Sequence, residues 1–309
     1  MRPSLLPPTA GLRAAAWSLL AVGTLAAQGT APPETPRSSE VPRAGSRAAA
    51  PMRQDLEELA TALGRAHGLA ADAKPITSFG ADLRVESRDK QEKDSISIDI
   101  RVDFSAPRSL RCQVREKGVR VERGMDPELG PWAISGDRVL KLQGADFARD
   151  ADQIAHDLRL CRQIVRFLDP QRMLRTLEDP GPVGKEDLEI TKRLTFHACP
   201  TVEGVLTRFP IYTVDADGRA RVKLFVHPDT SQLLAVRAQP IGDDGKPTQP
   251  TAELILLGDY AETQGLHLPS KLTVFRVDGD AREPLQTVHI NGIELDREFA
   301  PKHFARPKQ

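Results

Sequence analysis

The chain has 309 residues, with 43 Lys plus Arg set against 43 Asp plus Glu and only 5% aromatic residues. This balance leaves no net field that would favour nucleic acid or an acidic substrate, and no nucleic-acid partner is expected. The three cysteines are too few for a disulfide scaffold; an oxidising compartment would allow one bridge among Cys112, Cys161 and Cys199, and the sequence does not choose the pair.

Residues 1–27 have the layout of a secretory signal peptide. Arg2 and Arg13 supply positive charge, and Ala14 to Ala27 then run without a charged side chain. That run is shorter than the roughly 20 residues a spanning helix needs, and small residues at Thr24 and Ala26 offer a cleavage site. No cysteine precedes Cys112 to accept a lipid anchor. The expectation is a soluble periplasmic or secreted protein with no transmembrane segment after cleavage. Residues 28–52, dominated by Pro, Ala, Ser, Thr and Arg, cannot bury a core and read as a disordered linker. A β domain over 53–305 and a short tail over 306–309 complete the expected organisation.

The domain opens on an amphipathic helix over 53–70, with Leu56, Leu59, Ala60, Leu63 and Ala66 at helical spacing. From Thr77 the period becomes two. Phe79, Ala81, Leu83 and Val85 alternate with polar residues, as do Ile96, Ile98, Ile100, Val102 and Phe104. Further short strands follow around Leu110–Val114, Val119–Val121, Trp132–Ile134 and Val139–Leu142, joined by turns that imply an antiparallel meander. A helical segment from Asp150 interrupts it, with Ile154, Leu158, Cys161, Val165 and Leu168 on one stripe and Leu160, Ile164 and Phe167 widening that stripe. Pro170 ends it, and 171–177 read as a second short helix. The second half returns to strands over 188–196, 205–214, 219–226, 233–241, 252–260, 271–277 and 284–295.

About a dozen strands, each with one apolar face, then share only two or three helices. Such a sheet must curl over the helices to keep that face dry. The fold class read from this pattern is mainly β (α+β): a large curved antiparallel sheet, an unclosed half-barrel, covered by an N-terminal helix and a central inserted helical segment.

The order of helix, meander, inserted helices and second meander resembles the LolA/LolB-like periplasmic lipoprotein carriers. Two stretches add to the likeness. Gly258-Asp259-Tyr260 followed by Leu268-Pro269-Ser270-Lys271-Leu272 is similar to that family's tyrosine, leucine-proline and strand segment. Val288 to Leu295 followed by Phe299-Ala300-Pro301 is similar to its last strand and terminal phenylalanine. The resemblance covers about residues 53–305. It implies a concave face, lidded by helices, that receives acyl chains or another apolar ligand, with no enzymatic activity and no cofactor.

The residues themselves offer little chemistry. Of seven histidines, only His197 lies close to a cysteine, Cys199, and two ligands do not make a zinc site. His156 and Cys161 would point about 140° apart on a helix. No Gly-x-Ser-x-Gly, phosphate loop or His-Glu-x-x-His occurs. Asp150 with Asp152, and Asp243 with Asp244, read as a helix start and a turn. The expected site is therefore apolar: Ile154, Leu158, Ile164, Phe167 and Leu168 on the helical segment, with Phe104, Trp132 and Ile134 as strand-side partners. The leading expectation is an exported, non-enzymatic protein that holds a lipid, an acylated protein or another apolar ligand. The alternatives are a cell-envelope sensor or scaffold that binds a partner protein, and an exported hydrolase with an unrecognised site.

Overall fold

A computed structural model of the chain describes residues 49–88, 95–116, 119–135, 138–140, 144–211, 217–300 and 302–307. The signal peptide and nearly all of the linker expected from the sequence lie outside the described residues. One compact unit spans Ala50–Gln309. Its elements run α1 (Ala49–Ala66), β1 (Ser78–Arg88), β2 (Ser95–Ser105), β3 (Ser109–Glu116), β4 (Val119–Asp126), β5 (Gly130–Ser135) and β6 (Arg138–Leu140). The helical insertion follows as α2 (Gly144–Leu168) and α3 (Pro170–Arg175). The second half holds β7 (Gly184–Thr191), β8 (Leu194–Pro210), β9 (Asp217–Val226), β10 (Leu233–Ile241), β11 (Ala252–Thr263), β12 (Leu266–Asp278) and β13 (Ala281–Leu295).

All thirteen strands join one antiparallel, unclosed sheet in the order β6-β5-β4-β3-β2-β1-β13-β12-β11-β10-β9-β8-β7. Two meanders thus meet where β1 pairs with β13, and the α2–α3 connection leads from one sheet edge to the other. That route lays α2 across the sheet face. The helix touches β4 and β5 near one edge, β12 in the middle and β8 near the other. In a flat sheet β5 and β8, ten strand positions apart, would be separated by about 48 Å. A 25-residue helix is only about 37 Å long, so contact at both ends goes with a sheet curled round it.

Register decides which side chains face the helices. Phe79, Phe104 and Leu110 stand in one cross-strand row, and Ala81, Val102 and Cys112 in the next. In the second meander Leu257, Leu272 and Val288 align, as do Val202, Leu224 and Val236. These residues form one buried cluster with Leu63 of α1, Ile154, Ile164 and Phe167 of α2 and Leu174 of α3. The Phe79 and Phe104 rings lie 5.6 Å apart at a 41° tilt, a geometry that aromatic pairs favour over face-to-face stacking.

Three features depart from the sequence reading. The central helix begins at Gly144, earlier than Asp150. The segment read as one strand over 188–196 is the hairpin of β7 and β8, where the Thr191 hydroxyl accepts from the amides of Arg193 and Leu194. Apolar residues on both sides of that tight turn mimic one continuous alternation. The sheet also has more than one dry face. Leu188, Cys199, Phe225, Ala235, Ala252, Leu254 and Val277 form a second buried cluster on the face away from α2. The strand pattern shows that each strand has an apolar side, but not that both sides of one strand are covered.

Candidate functional site

The helical segment expected to contact a ligand does fill the hollow of the sheet. Ile154, Leu158, Ile164, Phe167 and Leu168 are buried on α2, and Phe104 joins the same cluster from β2. Trp132 and Ile134 are not their partners. Leu110 pairs with Met125, and Met125 with Pro131, so Pro131 and Ala133 share the face of Phe104 while Trp132 and Ile134 take the opposite one. There Trp132 packs against Gly124, and its Nε1 donates to the Phe304 carbonyl at 3.0 Å. The chain after β13 runs over this outer face. His303 Nε2 lies 2.8 Å from Asp103 Oδ2, Arg111 Nη1 donates to the His303 carbonyl, and the Arg306 amide donates to Asp126 Oδ2.

Polar groups also enter the hollow. Arg123 of β4 donates through Nε to Asp157 Oδ2 of α2 at 2.6 Å, and Gln153 Nε2 donates to Asp157 Oδ1 at 3.1 Å. Cys112 and Cys161 are buried beside this pair and unbridged, and Cys199 is likewise a free buried thiol on the other face. Burial pushes the Cys112 and Cys161 thiols upward, away from the reactive thiolate.

At the other end of the helical segment, α1 is tied down through His67. Its Nε2 accepts from the Leu233 amide at 3.3 Å, and its ring meets the Tyr260 ring edge-on at 5.3 Å. Tyr260, whose hydroxyl donates to the Leu233 carbonyl, pairs across the β11–β12 hairpin with Pro269. The tyrosine and leucine-proline stretch noted in the sequence is therefore the support for α1. Burial lowers His67 to about 4.

Beside the helices a cleft of ≈ 600 Å³ opens between α2, α3 and β8. This lies within the roughly 300–1,000 Å³ of small-molecule sites. Its apolar lining comes from Ile76, Val165, Met173 and Leu206, all members of the main core or packed against it. Arg166, Arg172 and Arg208 stand around it with Asp169, Thr176 and Thr207. Arg166 is fixed: its Nη2 donates to the carbonyls of Thr207 and Arg208 at 3.0 and 3.1 Å, and its guanidinium lies 5.5 Å from the Phe209 ring centre. These bonds span the register shift between Leu206 and Phe209 in β8, where Arg208 takes a φ of 54°. Asp169 caps α3 by accepting from the Arg172 amide at 3.1 Å, and burial raises its carboxyl above the ordinary range. Val165 belongs to the stripe seen in the sequence. The rest of the cleft was missed because Ile76, Leu206 and Arg208 come from distant segments with no shared spacing.

A second recess of ≈ 460 Å³ lies on the outer face, floored by Leu188, Phe225, Leu254 and Val277 and edged by Glu186, Lys192, Arg237 and Arg282. Near it His197 Nδ1 lies 3.0 Å from Asp187 Oδ2, both exposed, while Cys199 is buried. Hydrogen bonds from the Ala198 amide and His197 lower the Asp187 carboxyl. Among the described residues no group of three or more His, Cys, Asp and Glu is placed to hold a metal ion, and no helix is long and apolar enough to cross a membrane.

No protein-family model matches the chain, and no curated protein does. Among solved structures it is similar to a LolA superfamily protein from Nitrosomonas europaea, at 12% identity and a TM-score of 0.38 over 82% of this chain and 97% of that one. A DUF1329 family protein from Desulfovibrio piger gives 12% identity and a TM-score of 0.40 over the same shares. A putative outer membrane lipoprotein-sorting protein domain from Vibrio parahaemolyticus gives 8% and 0.40, again over 82% and 97%.

Proposed function

We propose that this chain is an exported, non-enzymatic binding protein that takes an apolar chain, from a lipid or an acylated protein, into the hollow of its curved sheet. The observation that carries the reading is the cleft between α2, α3 and β8, whose lining residues are continuous with the core beneath α2. An acyl chain entering there would meet apolar side chains along its length, and about 25 cal/mol per Å² of buried apolar surface would favour its entry. The hollow is otherwise filled by α2, so deep insertion requires that helix to yield. Residues 1–27 serve in this reading as the cleaved signal and 28–52 as a tether to a domain acting in the periplasm or outside the cell.

Native mass spectrometry of the protein isolated from its own cellular compartment tests the proposal. A co-purifying lipid or acylated protein, displaced by a fluorescent fatty acyl probe, is the expected result. Ligand-free protein that also fails to bind the probe sinks it.

The recess on the outer face supports a second reading, in which the protein holds an envelope partner against β7, an edge strand of the sheet. A stoichiometric partner in a pull-down, lost when Leu188 or Phe225 is replaced by Asp in a variant that still folds, would favour it over lipid carriage.

A further inference from the structure

We infer that the cleft between α2, α3 and β8 selects amphiphiles with an anionic headgroup, a carboxylate or a phosphate, through Arg172 and Arg208. This rests on the apolar-ligand reading and adds a polar end to the ligand. The apolar residues of the cleft, Ile76, Val165, Met173 and Leu206, would take the chain, and the cations stand around the same opening.

The three arginines differ in what already occupies them. Arg166 is spent on the backbone of β8, where it bonds two carbonyls and covers Phe209. It shapes the opening. Arg172 and Arg208 are exposed, and among the described residues neither side chain enters an ion pair. They come from different elements, α3 and β8, which meet at this cleft. The one carboxyl of the lining, Asp169, accepts from the Arg172 backbone amide as the cap of α3. Arginine presents a planar fork of donors suited to carboxylate or phosphate oxygens. Two such forks beside an apolar cleft complement a molecule with one apolar end and one negative end.

The test uses the full chain and three probes of equal chain length: a fluorescent long-chain fatty acid, its methyl ester, and the corresponding lysophosphatidate. Inorganic phosphate serves as competitor. The fatty acid and the lysophosphatidate should bind about tenfold more tightly than the ester, a ratio expected of charge-assisted hydrogen bonds at a partly exposed site and one that shrinks as salt is raised. The R172Q/R208Q variant should bring the anionic probes to the affinity of the ester and leave ester binding unchanged, and R172K/R208K should restore part of the difference. Equal affinity of wild-type protein for acid and ester overturns the headgroup inference while sparing the apolar-ligand reading. Failure of all three probes to bind overturns both. Displacement of lysophosphatidate by inorganic phosphate at comparable concentration also overturns it, because the site would then be reading a free anion. The ester arm reports whether the variants still fold and bind.

Discussion

Arg123 of β4 and Asp157 of α2 face each other inside the hollow at 2.6 Å, with side chains only 9% and 8% exposed. The pair, with Gln153 donating to the same carboxylate, fixes the helix against one half of the sheet. Removing one member strands the other charge in the core. Asp157→Ala should therefore lower stability by about 3–5 kcal/mol, whereas an Arg123→Met, Asp157→Leu double variant should recover most of that loss. Urea denaturation of both variants measures the difference, and equal losses would show that the pair does not act as a unit.

His67 makes stability depend on pH. Its folded value, about 4, lies below the ordinary 6.5 because burial disfavours the imidazolium. Between those values the unfolded chain binds the proton and the folded chain does not, so stability is full above pH 6.5 and falls as pH drops toward 4. The loss is about 3 kcal/mol in all. Urea melts at intervals from pH 7 to pH 4.5, compared with His67→Gln, isolate this contribution, since carboxylate titrations are common to both proteins. Parallel curves for the two proteins would remove His67 as the cause.

Two glycines make opposite predictions. A Cβ at Gly124 would lie 2.4 Å from the Trp132 ring and 2.6 Å from the Leu110 carbonyl, neither of which can give way easily. Gly124→Ala should cost about 1–3 kcal/mol. At Gly64 the added carbon would meet Oε1 at the far end of the Gln171 side chain, at 2.3 Å. A helical Gly→Ala change gains up to about 1 kcal/mol, which offsets the loss of the Gln171 bond to the Ala70 carbonyl. Thermal melts should place Gly64→Ala near wild type and Gly124→Ala well below it.

Buried thiols report on α2. Cys161 sits on the helix and Cys112 beneath it, both fully enclosed. In the free protein they should resist a bulky thiol reagent until denaturant is added. If an acyl chain displaces α2, saturating fatty acid should accelerate labelling of Cys161 severalfold and leave Cys199, on the opposite face, unchanged. Labelling rates followed by mass spectrometry of the separate peptides decide the matter, and protection of Cys161 by ligand would mean that the chain binds without moving the helix.

Loss of the Trp132 hydrogen bond to Phe304 should loosen the segment after β13. Trp132→Phe removes the donor and part of the buried indole, so it should cost more than the about 1 kcal/mol of the hydrogen bond alone, with faster amide exchange over residues 302–307. Exchange confined to wild-type rates there would show that the other bonds of His303 and Arg306 hold the segment alone.

The sequence by itself determined the fold class. Period-two alternation in β1 and β2, and the 3.6-residue stripe of α2, are local consequences of where side chains point along a strand or helix, and they survive in the structure as the rows and stripe of the core. It also singled out the α2 residues that occupy the hollow and the Tyr260 stretch that supports α1. Pairing register between strands is not local. Trp132 and Ile134 lie on one face of β5, as their spacing says, but which face that is depends on how β5 aligns with β4 and β4 with β3. A shift of one residue reverses the answer. The cleft depended on more still: Ile76, Met173, Leu206 and Arg208 meet only because the α2–α3 connection crosses the sheet from edge to edge and the sheet curls to meet it. Alternation fixes the apolar side of each strand from nearest neighbours, whereas a site built from three distant segments exists only once the whole sheet has curled around its helix.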